Sequence, residues 1–597
     1  MIWIPSETEA WEPAQVVSAD AKAVVVKLRG GKEYRVPGPA SKYDQIMAGS
    51  LEEEVENLVN LESFSEGIIL HHARRRFAAD KIYTFVGGIL IALNPYKALD
   101  IYSEKIIDQI FTATKLLKPV PPHVFSIGAA AVHAMRNGQK DQSVLISGES
   151  GAGKTEATKK ILTFISTVCA STASRVGTSI ENQILDSNPL LESFGNAKTI
   201  RNNNSSRFGK YMEVNFDKTM NIKGCSVKAY LLEKTRVVRQ GPNERNYHVF
   251  YMLLSGATKE MKRSFALRPA DQFYYLSQSG CMEVERRNDL KEFEEMLFAM
   301  QSLGVHPAAQ NEIFQCLAAV LHLGNLTFTA TRDVEGGSHA AVPADCRRVA
   351  ALIGTNPDSL ERAMCTKVSI INGERLVIPL PPEKALDQRD TLSKYVYGRV
   401  FDKVVSLVNT SLYRGKPGLT IGVLDIFGFE VFAVNSFEQL CINYCNERLQ
   451  TFFNEIIFEA EMKLYSAEGL PCSDISYQDN LGCVRLIDLR GGGIFAYLDE
   501  EIVLPKGSDE KFVSKINQIF DEGSTKSIYF GRCRKSPLDF TVCHFAGDVT
   551  YNAKDFLEKN KDALADSLMA QLKTSTVRLL EEEEGGAGGD KGVGAGA

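Results

Sequence analysis

One short segment of the chain has the residue types and the spacing of a phosphate-binding loop. It matches the pattern Gly-x-x-x-x-Gly-Lys followed by Ser or Thr. Its members are Gly148, Glu149, Ser150, Gly151, Ala152, Gly153, Lys154 and Thr155. In such a loop the backbone N–H groups face a phosphate, the lysine reaches β and γ oxygens, and the threonine can ligate Mg²⁺. The segment therefore predicts a nucleoside triphosphate site.

A second group of candidate residues lies in the polar loop 202–210, which leads into an apolar stretch from Tyr211. Ser205 and Ser206 supply two hydroxyls suited to a metal ion and a γ-phosphate, and Arg207 supplies a guanidinium. Taken alone, this loop is as compatible with a capped turn as with a site.

A third loop follows the apolar stretch 421–424. Asp425 can act in the second coordination shell of Mg²⁺, and Gly428 allows a backbone N–H to approach a γ-phosphate. Glu430 ends the segment. This loop alone is equally compatible with an ordinary exposed turn, but the three loops together predict a site that senses the γ-phosphate.

Two helices are predicted to position these loops. After the strand 144–146 and the glycine turn, apolar residues recur at helical spacing up to Val168, so one stripe of that helix should pack on a sheet. A second helix is predicted to start at Asn435, with Glu438 completing a capping box, and to continue without Gly or Pro to Glu468. At 1.5 Å per residue it would be roughly 50 Å long, which suits either a transmitting rod or a long core helix.

The remaining segments predict smaller units. Residues 1–40 alternate around a glycine turn and predict a small antiparallel β-barrel. The stretches 82–86 and 89–93 meet at two glycines, as in a hairpin. Residues 581–597 are acidic and then glycine-rich, and we expect them to be disordered.

Length and composition exclude several classes of protein. The 597 residues exceed the size of one small module, and 44% hydrophobic with 24% charged residues is typical of a globular chain. The formal charge of −6 argues against a nucleic-acid partner. No apolar run approaches the roughly 18 residues of a membrane span. The twelve cysteines form no CxxC pair, which suits reduced thiols in the cytosol.

The three loops together resemble the phosphate loop, first switch and second switch of the myosin motor domain. The resemblance covers nearly the whole chain, and further segments carry it: 231–237, 245–250, 321–325 and 544–551. Kinesins fit less well, because Phe208 and Gly209 follow the arginine of the first switch where kinesins have Ser and His. The resemblance implies an α/β fold: a P-loop NTPase core at 52–580 with a central, mostly parallel sheet flanked by helices, after the small N-terminal barrel.

The resemblance also implies roles for individual residues, with ATP and Mg²⁺ as the ligands. Asn202 and Lys154 would contact the γ-phosphate, Thr155 and Ser206 would ligate magnesium, and Ser205 would lie beside the attacking water. Arg207 and Glu430 would form the ion pair that closes the site. The adenine side would be formed by Asn94, Pro95, Lys97 and Tyr102, with Glu156 nearby.

The partner implied by the resemblance is the actin filament. It would be bound through the loop carrying Glu374 and through a helix-loop-helix at 486–512, in a cytoplasmic, cytoskeletal location. Light chains or calmodulin would bind only a longer chain. The family's next core strand, converter and lever are expected to lie outside these residues, which predicts that this chain alone is not a working motor.

Three functions remain open on the sequence. The first is an actin-based motor ATPase present as an incomplete head. The second is a truncated nucleotide- or actin-binding protein without motor activity. The third is another phosphate-loop enzyme such as a small-molecule kinase, which is disfavoured because nothing resembles a site for an acceptor substrate.

Overall fold

The structure is a computed structural model, and it describes residues 1–580 apart from 48, 63, 171–179, 332–335, 372–373, 416–417, 472–474, 476, 505, 523–525 and 562–563. The predicted disordered tail, 581–597, lies outside the described residues. The strands are β1 Ile2–Ser6, β2 Ala10–Ala19, β3 Ala23–Lys27, β4 Glu33–Pro37, β5 Tyr83–Val86, β6 Ile89–Ala92, β7 Gln142–Ile146, β8 Asn196–Ala197, β9 Ser205–Ser206, β10 Gly209–Phe216, β11 Ile222–Tyr230, β12 Phe328–Ala330, β13 Ser338–Ala340, β14 Thr366–Ile371, β15 Glu374–Pro379, β16 Leu419–Asp425, β17 Phe530–Arg532, β18 Asp539–His544 and β19 Gly547–Asn552.

More of the described residues lie in helices than in strands, and the helices pack around the sheets. They are α1 Glu66–Ala78, α2 Glu104–Lys115, α3 Val124–Gly138, α4 Lys154–Val168, α5 Ile180–Gly195, α6 His248–Gly256, α7 Lys259–Ser264, α8 Tyr274–Ser277, α9 Asp289–Ser302, α10 Pro307–Gly324, α11 Pro343–Ile353, α12 Pro357–Cys365, α13 Pro382–Leu412, α14 Phe437–Asn454, α15 Ala460–Ala467, α16 Leu481–Asp488, α17 Ile494–Val503, α18 Asp509–Asn517, α19 Phe556–Asn560 and α20 Asp566–Leu572. Short 3-10 turns lie at Ala40–Lys42, Leu58–Asn60, Lys234–Val237, Ala270–Gln272 and Arg578–Leu580.

The N-terminal strands form an antiparallel sheet in the order β1-β2-β3-β4. A barrel was predicted, but β1 and β4 are not paired among the described residues. The free edge of β1 binds another segment instead: Trp3 N–H donates to the Asp44 carbonyl at 2.9 Å, and Ile46 N–H donates to Met1 at 2.9 Å. Because that edge is already satisfied, β4 has no donors or acceptors left there with which to close the sheet.

The central sheet has the order β11-β10-β16-β7. The prediction of a mostly parallel sheet was wrong, because only β16 and β7 are parallel, whereas β10 is antiparallel to both of its neighbours. For the β10–β11 pair the cause is local, because the two strands are joined by the tight turn 217–221 and strands joined so closely pair in antiparallel fashion.

This strand order brings three loops to one edge of the sheet. In the parallel pair, Ile146 at the end of β7 lies opposite Asp425 at the end of β16. In the neighbouring antiparallel pair, Asp425 lies opposite Lys210, near the start of β10. The loops that follow β7 and β16 and the loop that precedes β10 therefore meet.

The elements predicted around the phosphate loop are confirmed. β7 leads through the glycine turn into α4, whose Ile161, Phe164 and Ile165 are fully buried. Phe164 packs on Gly128 of α3, where a Cβ would approach the ring to 2.9 Å. β5 and β6 form the predicted hairpin. The stripe on α4 therefore fixes the helix, and with it the loop at its N-terminus, against the core.

The predicted long helix is present but begins differently. Ser436 is the N-cap of α14, and its reciprocal partner is Gln439 rather than Glu438. Gln439 occupies the third helical position after Ser436, where a side chain can return to the backbone of the cap. Glu438 instead accepts a hydrogen bond from Lys559 at 2.9 Å. The helix continues through a π-helical turn, Glu455–Glu459, into α15.

A second hydrophobic cluster lies beneath the long helix. It joins α16, α17 and α18 to the sheet β17-β18-β19, with Leu440 of α14 packed among Phe512, Phe540 and Phe556. The segment predicted as a helix-loop-helix at 486–512 contains α17 and the start of α18, and α16 ends inside it. The long helix thus contacts this cluster on one side and the loop after β16 on the other.

Candidate active site

The three loops line one cavity of about 260 Å³ at the edge of the central sheet. Its lining residues are Asn94, Tyr96, Ser150, Gly151, Gly153, Lys154, Thr155, Glu156, Arg201, Asn202, Asn204, Ser205, Ser206, Asp425, Ile426, Phe427, Gly428 and Glu430. Segments far apart in the sequence therefore converge on a single concave surface.

The loop 148–155 has the backbone of an anion-binding turn. Gly148, Gly151 and Gly153 have φ of 145°, 86° and 95°, a region that side chains other than glycine rarely adopt. Gly153 is the N-cap of α4, so the first N–H groups of that helix face the cavity edge. Such a terminus carries partial positive charge and favours an anion.

Lys154 lies across the mouth of this loop. Its ammonium donates to the carbonyls of Gly148 at 2.9 Å and Glu149 at 2.8 Å. Burial lowers the pKa of Lys154, although the carboxylates of Asp425 and Glu430 oppose that shift. A half-buried cation held by carbonyls is stabilised further by an anionic ligand, so the position suits a phosphate.

Oxygen ligands for a hard cation lie beside Lys154. The Thr155 hydroxyl donates to Asp425 Oδ1 at 3.4 Å, and Asp425 is buried. Asp425 Oδ2 has no hydrogen-bond partner among the described residues, and the Lys210 ammonium lies 3.5 Å from it. The Ser206 hydroxyl donates to the Phe208 carbonyl at 2.8 Å. Two hydroxyls and an under-satisfied carboxylate form an all-oxygen donor set, which fits Mg²⁺.

Arg207 and Glu430 form the ion pair that the sequence predicted. Arg207 Nη1 lies 2.8 Å from Glu430 Oε1, and Nη2 donates to Glu430 Oε2 at 3.4 Å. Both side chains are 1% exposed. Arg207 Nη1 also donates to the Ser205 hydroxyl at 3.2 Å. We call this contact the inner ion pair; it joins the first and second switch loops behind the cavity.

A second carboxylate stabilises the same guanidinium. Glu233 Oε2 lies 2.7 Å from Arg207 Nε and 2.6 Å from Arg236 Nε. Burial alone would raise the pKa of Glu233, but the two guanidiniums outweigh it and lower that pKa to about 2. Burial would lower the pKa of Arg207, and Glu233 and Glu430 instead raise it well above its usual value. Glu233 and Arg207 are therefore charged at neutral pH.

Gly428 brings the second switch loop against the phosphate loop. A Cβ at this position would stand 1.6 Å from the Gly148 carbonyl oxygen and 2.8 Å from the Lys154 ammonium. Only glycine fits without a backbone shift. The two loops are therefore in direct backbone contact.

The adenine-side residues are only partly brought to the cavity. Asn94 donates through Nδ2 to the Gly151 carbonyl at 2.7 Å, and Glu156 lines the cavity.

Other predicted residues make contacts elsewhere. Lys97 forms an ion pair with Asp80 at 2.6 Å. The Tyr102 hydroxyl lies 2.9 Å from that of Tyr83. Pro95, Lys97 and Tyr102 are absent from the lining of this cavity, as are Gly148, Glu149 and Ala152, whose backbones shape the loop.

Several lining residues were not singled out by the sequence. They are Tyr96, Arg201, Asn204, Ile426 and Phe427. Glu233 was also missed as a site residue, although the segment 231–237 was noted. Asn204 lies inside the loop 202–210 and Arg201 directly precedes it, so their polarity could have indicated them. Arg236, three residues further on, is a local partner of Glu233, but the link to the site depends on Arg207, which lies 26 positions away in the sequence.

A chain of buried polar groups leads from the second switch loop into the long helix. Asn443 accepts from the Glu430 N–H at 2.9 Å and donates to the Glu430 carbonyl at 2.8 Å. It also donates to the Tyr551 hydroxyl at 2.9 Å, which lies 2.8 Å from His544 Nε2. His544 Nδ1 in turn lies 2.8 Å from Glu447 Oε2. We call these residues the polar chain.

The surfaces predicted to bind a partner are described in part. Glu374 is the first residue of β15, and its side chain lies outside the described residues. Val503 and Leu504, where α17 ends, are 82% and 47% exposed. Across the described part of the chain, no helix combines the length and the apolar character that crossing a bilayer requires.

Comparison with known proteins gives a consistent result. The family model described as "Myosin head (motor domain)" matches residues 55–583. The chain is 41% identical over 559 residues to "Myosin-I heavy chain" of Dictyostelium discoideum, covering 92% of this chain and 23% of that protein. It is 38% identical over 569 residues to "Myosin-14" of Arabidopsis thaliana, covering 94% of this chain and 37% of that protein. The chain thus spans less than two fifths of the length of these relatives.

Proposed function

Because this chain belongs to the myosin head (motor domain) family, we propose that it is the ATP-hydrolysing part of an actin-based motor, built on a P-loop NTPase core. The observation that carries the proposal is the inner ion pair, which links residues 223 positions apart and lies 1% exposed behind the phosphate loop. A glycine-rich loop alone would support only binding. A buried contact between two separate loops supports a site that assembles around a terminal phosphate.

The proposed binding mode assigns the triphosphate to the loop 148–155. The N-terminus of α4 and Lys154 would stabilise the negative charge of the β and γ groups. Thr155 and Ser206 would ligate Mg²⁺, with Asp425 behind them, and Asn202 would contact the γ-phosphate. The ion would neutralise charge on the phosphate oxygens.

The proposed hydrolysis depends on orientation and exclusion of water. The Ser205 hydroxyl, fixed by Arg207 at 3.2 Å, would orient the attacking water. Glu430 and Arg207 would close the cavity behind it, and the N–H of Gly428 would approach the γ-phosphate. Phosphoryl transfer to water needs this positioning and charge stabilisation more than a strong base.

The proposed partner is the actin filament, which places the protein at the actin cytoskeleton. The helix-loop-helix at 486–512 is proposed as the first contact; Val503 and Leu504, where α17 ends, are exposed there. The loop carrying Glu374 is proposed as a second contact. Light chains or calmodulin would require a longer chain.

The proposal is tested by measuring ATP turnover with Mg²⁺, with and without filaments, on the 597-residue chain. Hydrolysis that filaments accelerate supports the motor ATPase. Tight nucleotide or filament binding without turnover would favour the alternative, a truncated binding protein without motor activity. A Lys154→Ala variant serves as the negative control, since it removes the cation nearest to the phosphate loop.

A further inference from the structure

Arg201 occupies a position at the mouth of the cavity that the proposed chemistry does not use. It precedes Asn202 in the loop between β8 and β9, lines the cavity and is exposed to solvent. The loop itself is held at its base, because Thr199 N–H donates to the Asn202 carbonyl at 2.8 Å. Arg201 therefore projects from a fixed turn.

The side chain of Arg201 reaches across the cavity to the segment after the second switch. Its Nη2 donates to the Val431 carbonyl, and its guanidinium lies 5.2 Å from the centre of the Phe432 ring. Cation–π contacts within about 6 Å are attractive. We call the contact among these three residues the outer contact.

The segment that carries Val431 and Phe432 is held in place by hydrogen bonds. Phe432 N–H donates to Asn435 Oδ1 at 2.7 Å, and Asn435 Nδ2 donates to the carbonyls of Phe432 and Thr550, both at 3.0 Å. Asn435 is buried. Opening the mouth therefore requires Arg201 to leave Val431 and Phe432, because the turn that carries them is tied to β19.

The outer and inner contacts join the same two loops but differ in exposure. Glu430 of the inner ion pair is adjacent in sequence to Val431 of the outer contact, yet the inner pair is 1% exposed and Arg201 faces solvent. A buried, doubly paired guanidinium separates slowly, whereas an exposed one exchanges readily with water. The two contacts are therefore suited to different steps.

We propose that Arg201, Val431 and Phe432 form a mouth that controls the rate at which a nucleoside triphosphate enters and leaves the cavity, an inference that rests on the proposed function. In this proposal the contact forms both before the ligand enters and after it is bound, so the ligand must part it on the way in and on the way out. Its loss therefore lowers one barrier in both directions. Association and dissociation accelerate by a similar factor, and the equilibrium affinity stays nearly constant.

The test is stopped-flow binding of a fluorescent N-methylanthraniloyl ATP analogue with Mg²⁺ to the full chain. Arg201→Ala and Phe432→Leu should each raise both rate constants about three- to tenfold, the size expected for one exposed cation–π contact and one hydrogen bond. The double variant should add little to Arg201→Ala, because that change already removes the hydrogen bond to Val431 and the cation–π contact, of which Phe432→Leu removes only the second. Arg201→Lys, which keeps the charge, should be intermediate.

A matched control is Arg286→Ala, since Arg286 is 90% exposed and pairs only with its neighbour Glu285. It should leave both rates unchanged. Weaker affinity of Arg201→Ala with unchanged association would show a direct phosphate contact and overturn the proposal. Additive effects of Arg201→Ala and Phe432→Leu would overturn it as well.

A second readout separates this proposal from the function on which it rests. In amide hydrogen exchange without nucleotide, Arg201→Ala should increase exchange in residues 431–435, and Phe432→Leu should increase exchange in residues 199–204. If the wild-type chain fails to bind the analogue, the proposed ATPase is wrong, and these exchange rates still decide whether the contact holds the mouth shut. Unchanged exchange in both segments would refute it.

Discussion

Two buried groups of polar residues meet at Glu430, and they are built from different chemistry. On one side, the inner ion pair and Glu233 bring full charges together beside a cavity of about 260 Å³. On the other side, the polar chain consists of amide, hydroxyl and imidazole groups and ends at Glu447. The first group holds fixed charge next to the proposed substrate; the second orients the loop relative to the long helix.

The difference indicates how one loop can serve two tasks. A carboxylate in contact with guanidiniums stays ionised, and it can act on a phosphate site through charge. A hydrogen-bonded chain is directional, so it responds to where the Glu430 backbone lies rather than to its charge. The side chain of Glu430 belongs to the first group and its backbone to the second.

The largest expected effect is on hydrolysis when the inner ion pair is broken. Glu430→Ala should slow single-turnover cleavage of ATP by about 100-fold, as for loss of one preorganised group, while nucleotide binding changes little. Arg207 keeps Glu233 as a partner at 2.7 Å, so the fold should survive. Quench-flow with Mg·ATP measures the step, and Glu285→Ala, at a site 81% exposed, is the control. Unchanged cleavage would remove Glu430 from the mechanism.

The next effect concerns stability and its dependence on pH. The pKa of Glu233 falls from 4.5 to about 2 on folding, so its contribution is fully present above pH 4.5 and is lost as pH falls towards 2. Glu233→Gln should therefore cost on the order of a few kcal/mol at pH 7. Urea unfolding of both proteins at several pH values measures this.

The two unfolding free energies should converge at the acid end of that range, because wild-type Glu233 is then protonated as well. A constant difference at every pH would mean that Glu233 acts through packing rather than charge. The group around Arg207 would then stabilise the fold without using its charges, and the proposed difference between it and the polar chain would be wrong.

A smaller effect is expected in the polar chain. Tyr551→Phe leaves Asn443 and His544 without the hydroxyl that lies 2.9 and 2.8 Å from them, which should cost about 1 to 3 kcal/mol of stability. Tyr413→Phe, at a side chain that is 62% exposed, should cost nothing measurable in the same urea titration. If Tyr551→Phe slowed hydrolysis as strongly as Glu430→Ala, the two groups would have to be treated as one unit.

The smallest effect is expected for an exposed ion pair that also bridges distant segments. Arg239 Nη1 lies 2.9 Å from Asp555 Oδ2, and the side chains are 64% and 38% exposed. Arg239→Ala should change stability by less than about 1 kcal/mol, and salt should erase the difference. Thermal melts at low and high ionic strength test this. A loss comparable to that of Glu233→Gln would show that burial is not what separates the strong pairs from the weak.

The local parts of the fold and site were predictable because they depend on neighbours in sequence. The glycine turn 148–153, the stripe on α4 and the hairpin β5–β6 follow from residue types a few positions apart. The sequence placed the start of the long helix at Asn435, one residue before the observed N-cap Ser436. Both Glu438 and Gln439 can complete a capping box, and only the observed hydrogen bond from Lys559 to Glu438 distinguishes them.

Errors arose wherever pairing between distant segments decided the outcome. The prediction of a mostly parallel sheet did not anticipate the tight β10–β11 turn, and the barrel prediction did not anticipate that residues 44–46 would occupy the free edge of β1. Lys97 was assigned to the adenine side, and this stays a prediction; its ion pair with Asp80 was not anticipated. A strand edge or a charged side chain can pair with several partners, and the sequence pattern does not show which partner it will have in the fold.

By itself, the amino-acid sequence determined that an anion-binding turn begins α4 and that two polar loops border apolar strands, because backbone preference and hydrophobic spacing act over a few residues. The Arg207–Glu430 pair was implied by the family resemblance, but only the tertiary structure decided that Arg207 also meets Glu233 and that Arg201 meets Phe432. The physical reason is that ionic and cation–π contacts act through space, so their partners are chosen by the order of strands in the central sheet.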